Sequence, residues 1–263
     1  MNLKYFFTNE ATLAEAGLDI GFELYSIGHL LWLAGILAAG IWLSGWYRKQ
    51  GEGRRKRIRK VFAAVLGCSE ICRDTVLIVT GVFSLQYLPF HLCGLAIFGL
   101  LADAFWEKQQ VTKQMIAYAF MPGAVSALLF CNWTSTPFLN FFNIHSFAFH
   151  AWIFFYFLMR YRAGEIQPEY KGLWETLAVL LVLVYPLFRL NAAVGSNYMF
   201  LNEASEGSPL IPLWNLFGET HGHLGYILAC IVLVAVVFHV LYGVYRLLAA
   251  TKRSRRAKSA VGE

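Results

Sequence analysis

Cys93 and His150 are the two side chains whose types could together carry covalent chemistry. Cys93 closes the run Leu88-Pro89-Phe90-His91-Leu92-Cys93 and is followed by Gly94, while His150 lies in an apolar, Phe-rich stretch. An imidazole that takes a thiol proton creates a thiolate, which attacks a carbonyl and forms a thioester. A nearby amide or hydroxyl would stabilise the oxyanion. Asn191, Asn197 and Tyr198, in and before Gly195-Ser196-Asn197-Tyr198, are candidates for that supporting role, with His91. Pro89 suits a first helical position. Cys93 is therefore expected about one turn into a helix, where the positive helix end favours a thiolate. The competing reading makes Cys93 a small packing residue and His150 an interhelix contact. His145 is a rival histidine, but residues five apart on a helix point about 140° apart, so His145 and His150 cannot face one point. Asn143 and His150, seven apart, do share a face.

A second group is ionic. Glu70, Arg73 and Asp74 fall in one apolar stretch at spacings that place Glu70 beside both neighbours on a helix. Ionisable groups inside a membrane span are costly and mark function by default. With Arg189 they could line an ion or solute path in a transporter; they read equally well as a buried triad that fixes helix packing. A third reading uses some of His145, His221 and His223, the last two expected in an external loop, with an acidic group as zinc ligands in a hydrolase, which needs three converging donors. The leading reading requires neither metal nor cofactor.

These residues have to be held by membrane helices. Of 263 residues, 58% are hydrophobic and 14% charged, with mean hydropathy +0.52, where a soluble domain carries about a quarter charged. Apolar runs of about 20 residues recur seven times, at 21–47, 61–84, 88–106, 115–133, 141–161, 175–194 and 224–250. Such lengths mean helices rather than barrel strands. The first run is too long and too late for a cleaved signal peptide. Five cysteines, most of them in or at the ends of apolar runs, argue for thiols rather than disulfides. All but Lys4, Arg73 and Arg189 of the 22 lysines and arginines fall in alternate connections, chiefly 48–60 and the tail. Basic residues stay on the cytoplasmic side. The expected architecture is all-α and polytopic: seven transmembrane helices over 21–250, an external N-terminal segment 1–20 and a basic cytoplasmic tail 251–263. The basic connections suit anionic membrane lipid, nothing around them suits nucleic acid, and a homo-oligomer is left open.

The motif around Cys93, the Phe-rich stretch with His150, and Asn191 followed by Gly195-Ser196-Asn197-Tyr198-Met199-Phe200-Leu201 resemble the YwaF-type family of polytopic membrane proteins. Tyr5-Phe6-Phe7 and Ser26-Ile27-Gly28-His29 match as well, so the likeness covers nearly the whole chain. That family includes a vertebrate endoplasmic-reticulum member described as an acyltransferase for ether phospholipids. The resemblance implies that Cys93 accepts the acyl group, that His150 is its histidine, and that the substrate is a phospholipid or another acyl lipid. The tail has no prenylation or retention signal, which favours a bacterial inner membrane.

Overall fold

The computed structural model describes residues 5–106, 109–205 and 207–261, and within 252–261 only the side chain of residue 254. Lys4 and Lys108 lie outside the described residues. Those residues are helical, without strands. A short α1 (Glu10–Glu15) precedes α2 (Ile27–Arg48), α3 (Glu52–Val79) and α4 (Leu92–Phe105). Next, α5 (Gln110–Met115) and α6 (Met121–Leu129) form one rod through a π-helical turn, Ile116–Phe120. The chain continues with α7 (Phe141–Ala163), α8 (Tyr170–Val194), α9 (Ile211–Leu213) and α10 (Glu219–Val261).

The ends of these helices are set locally. Asn140 caps α7 by accepting the amides of Phe142 and Asn143 at 2.8 and 3.4 Å, which satisfies donors that the first helical turn leaves unpaired. Gly164 (φ 80°) and Gly195 (φ 65°) end α7 and α8 in the left-handed conformation that glycine adopts at little cost. The N-terminal segment folds back onto the cap of α7: Asn140 Nδ2 donates to the carbonyls of Tyr5 and Thr8 at 2.7 and 2.8 Å.

Every apolar run of the sequence contains a helical rod, with shifted boundaries. Residues 21–26 do not join α2, because Gly21 lies against the backbone of Thr134 and Ser135 and Tyr25 is left-handed. The third run shortens to 14 residues, since the backbone of Pro89 folds over Gly94 before the helix can begin. Among the described residues, four helical stretches are long and apolar enough to cross a membrane: α2, α7, α8 and Ile211–Thr251. The first turns of α3 are crowded with basic residues, and α4 is short.

The hub is α7, which packs on α2, α3, α4 and α6. Its Phe147, Ile153, Tyr156 and Met159 are fully buried. The π turn is buried throughout, and the hydroxyl of Tyr245 in α10 donates to its Ala117 carbonyl at 2.9 Å, the kind of group that a π turn releases from the regular ladder. Outward faces are apolar instead: Ile27, Trp42, Ile71, Val79, Val182 and Tyr185 are each more than half exposed. Such a surface is stable only in lipid.

Candidate functional site

The basic connection 48–60 and the connection 163–169, which Glu165 ties to it, lie at one end of the bundle, and the starts of α4 and α7 lie at the other. At that second end the two groups that the sequence presents separately come together. Arg73 Nη2 bridges Glu70 Oε1 at 2.8 Å and Asp74 Oδ1 at 2.7 Å, and also donates to the Tyr87 carbonyl at 2.8 Å. One cation thus ties α3 to the connection that leads into Cys93. The other carboxylate oxygen of Glu70 lies 3.8 Å from His145 Nε2 on α7. Both of these buried atoms are without a hydrogen-bond partner.

Cys93 is the second residue of α4, and His91 is the N-cap. The helix therefore starts later than Pro89 predicts, and Cys93 lies in its first turn. Gly123 on α6 packs closely on this turn: a β-carbon there would lie 2.9 Å from Leu92 Cδ2 and 3.9 Å from Cys93 Sγ.

His150 donates from Nδ1 to the Ser146 carbonyl at 2.7 Å. A carbonyl only accepts, so this contact puts the proton on Nδ1 and leaves the lone pair on Nε2. The ring stacks on Trp133 with centroids 5.0 Å apart. His145 stacks instead on Phe149 and faces α3, so the two histidines diverge as helical periodicity requires. Cys93 and His150 share no hydrogen bond in this state. Asn143 is buried, with its amide on the Phe138 carbonyl at 2.8 Å.

The supporting residues build a loop. Asn191 Oδ1 accepts from Ser196 Oγ at 2.9 Å and the Tyr198 amide at 2.7 Å, and its Nδ2 donates to the Tyr198 carbonyl at 3.0 Å. Asn197 likewise bonds the backbone of Asn202 and Glu203. These contacts, rather than an oxyanion, occupy both amides. The loop closes over the start of α4, where Tyr198 donates to the Leu85 carbonyl and the Met199 amide meets His91 Nδ1 at 3.4 Å. Met199 and Phe200 are both left-handed (φ 55° and 56°), a strained pair for residues with side chains.

Several expectations are corrected. Arg189 is exposed and takes no part in the Glu70, Arg73 and Asp74 cluster. His221 and His223 belong to the start of α10, not to a loop, and bond Thr220 and the Asn202 carbonyl. Among the described residues no three His, Cys, Asp or Glu side chains converge as a metal site, so the zinc reading has no geometric basis. Cys68 and Cys72 are exposed. His29, which nothing at helical spacing singles out, is fully buried and 3.5 Å from Cys131 Sγ. It accepts the Tyr25 amide at Nδ1 (2.9 Å) and contacts the Leu128 carbonyl through Nε2 (2.8 Å). With Nδ1 accepting and Nε2 donating, the ring has no lone pair left to take the Cys131 proton.

The basic end holds a network that the sequence did not reveal. Glu165 Oε2 receives Arg59 Nη1 and Arg160 Nε, each at 3.0 Å, and the Tyr47 hydroxyl at 2.9 Å, while Arg55 lies 3.6 Å from Oε1. Arg160 also pairs with buried Asp103, which accepts the Tyr156 hydroxyl at 2.6 Å. The available signal was Asp103 in an otherwise apolar run.

Membrane-length apolar helices around two partly buried ionic clusters define a polytopic α-helical membrane protein. A model of the TMEM164 family matches residues 24–242. The chain belongs to the TMEM164 family. No curated protein and no solved structure matches it. Likeness to the YwaF-type family and to an ether-lipid acyltransferase rests on the motifs alone.

Proposed function

We propose that this protein is a membrane-embedded lipid acyltransferase or hydrolase that works through Cys93 and His150 on the ester of a phospholipid or another acyl lipid. In this reading it is a seven-span protein of a bacterial inner membrane, with the N-terminus outside and the basic end in the cytoplasm. The observation that carries the proposal is the bond from His150 Nδ1 to the Ser146 carbonyl, because it leaves Nε2 in the form that a general base needs. Family membership and the Cys93 motif support it.

The Cys93 thiol gives its proton to His150 Nε2, and the sulfur bonds to the ester carbonyl carbon. When the carbon–oxygen bond breaks, the alkoxide takes that proton and leaves as a lysolipid. A second alcohol, or water, then gives its proton to His150, attacks the thioester and releases the thiol with the proton returned. Since the two groups are not hydrogen-bonded here, the reading includes their closure when the acyl chain enters. The charge cluster takes a positioning role, with Arg73 holding the Tyr87 carbonyl and so the entry to α4. The test is incubation of the full-length protein in lipid with radiolabelled acyl phospholipid. Native protein forms a hydroxylamine-labile acyl adduct, Cys93→Ala forms none, and His150→Ala forms it at least a hundredfold more slowly, as expected for loss of a general base. Full labelling of Cys93→Ala overturns the reading.

A second reading, transport or binding through Glu70, Arg73 and Asp74, is favoured by the two unpartnered atoms of Glu70 and His145 that face each other. Solute uptake lost in Glu70→Gln but normal in Cys93→Ala would select it.

A further inference from the structure

The helical period of α3 sends its basic residues in two directions. Arg55 and Arg59, one turn apart, face inward to Glu165. Arg54 and Arg57 are exposed on the other side and, among the described residues, form no ion pair with a carboxylate. They stand at the rim of a groove of about 770 Å³ between α2 and α3, within the roughly 300–1,000 Å³ range of sites for small organic ligands. Its walls are apolar and aromatic, built by Trp42 and Trp46 of α2 and by Ile58 and Val61 of α3. Trp42 is 70% exposed, and tryptophans at the end of a membrane helix favour the headgroup level. The Arg54 guanidinium lies over the Trp46 ring at 5.7 Å, which holds a planar fork at the mouth of the groove.

We propose that this groove binds one anionic glycerophospholipid of the leaflet at the basic end. Arg54 and Arg57 take the phosphate and the acidic headgroup, and an acyl chain lies along Trp42, Ile58 and Val61. Charge complementarity selects the occupant. Two uncompensated guanidiniums above an apolar wall match a molecule with an anionic head and an apolar tail, and guanidinium pairs phosphate in a bidentate fork. A second copy of this chain would bring the same cations to the interface and repel. The site is at the opposite end from Cys93 and does not depend on the acyl-transfer reading.

The test is native mass spectrometry of the full-length protein in detergent, titrated separately with phosphatidylglycerol and phosphatidylcholine of identical chains. One phosphatidylglycerol per chain is retained, and phosphatidylcholine is lost. R54Q/R57Q weakens that retention roughly thirtyfold, at about a kcal/mol for each basic residue. K171Q/R246Q removes the same charge from exposed positions elsewhere and leaves retention unchanged. Val61→Trp, which fills the groove while keeping both arginines, lowers it at least tenfold. Equal losses in the two double variants would reduce the effect to diffuse surface attraction and overturn the proposal. So would equal retention of both lipids, or a dimer through this face with no lipid held.

Discussion

Glu165→Gln is the substitution that separates charge from shape at the basic end. The carboxylate receives Arg59 and Arg160 at 3.0 Å, Tyr47 at 2.9 Å and Arg55 at 3.6 Å. Its partners are largely buried, the Arg160 side chain being 4% exposed. Glutamine keeps the length and one acceptor oxygen, but turns an amide toward guanidiniums and removes the charge that holds them. Removing one partner of a buried ion pair costs about 3–5 kcal/mol. Two features pull the value toward the lower bound. Glu165 is itself 17% exposed, and Arg160 keeps Asp103. We expect a loss of about 3 kcal/mol, read by tryptophan fluorescence during denaturant unfolding in mixed micelles. A cycle with Arg160→Gln should return a coupling of at least about 1 kcal/mol between the two positions. A loss below about 0.5 kcal/mol, the size of an exposed pair, would refute the reasoning, because it would mean that water already solvates these arginines.

Gly94→Ala places a β-carbon 2.7–2.9 Å from backbone atoms of Pro89, which cannot retreat as a side chain can. It should cost about 1–3 kcal/mol in the same unfolding assay and reduce labelling at Cys93. Gly123→Ala meets the flexible end of Leu92 at 2.9 Å and should cost less than about 1 kcal/mol; equal losses at the two glycines would count against this distinction. Tyr245→Phe strips the donor from the buried Ala117 carbonyl and should destabilise by about 1–3 kcal/mol, with unchanged stability as the refuting result. Cys131→Ala leaves both backbone contacts of His29 in place, so acyl labelling at Cys93 should be unaffected; lost labelling in a folded variant would make Cys131 the reactive thiol.

The helices were legible because lipid imposes length and polarity on a segment before any partner is known. Boundaries were less so wherever a backbone contact from elsewhere in the chain decided them. Residues 21–26 are apolar enough to belong to α2, and only the approach of Gly21 to Thr134 and Ser135 shows why they do not. The Glu70, Arg73 and Asp74 cluster followed from spacing within one helix. Its meeting with His145 could not, since that depends on how α3 and α7 rotate against each other. Asn197 was legible as a polar residue in a conspicuous turn and Asn191 as one just before it. Their chemistry was not, because an asparagine that shapes its own loop and one that awaits an oxyanion have the same sequence signature. Arg160 looked like one more cytoplasmic cation until Asp103 and Glu165 were found to hold it.

Polar atoms are used differently at the two ends of the bundle. At the basic end Glu165 gathers residues of α2, α3 and α7 through ion pairs and hydrogen bonds, while Asp103 Oδ1 and Arg55 Nε there are buried without a hydrogen-bond partner. At the other end Glu70 Oε2 and His145 Nε2 face one another at 3.8 Å with no hydrogen-bond partner. Nearby, His150 offers a free lone pair and the loop over α4 holds two left-handed residues in succession. Unpartnered buried groups and backbone strain both cost free energy, and a fold retains them where rearrangement or ligand binding uses them. On the proposed reading the basic end anchors the bundle, and chemistry belongs to the end where the strained pair and the free imidazole lone pair lie. Stability and activity should therefore respond separately to substitution: changes at Glu165 should lower the unfolding free energy without altering the rate of Cys93 acylation in protein that remains folded.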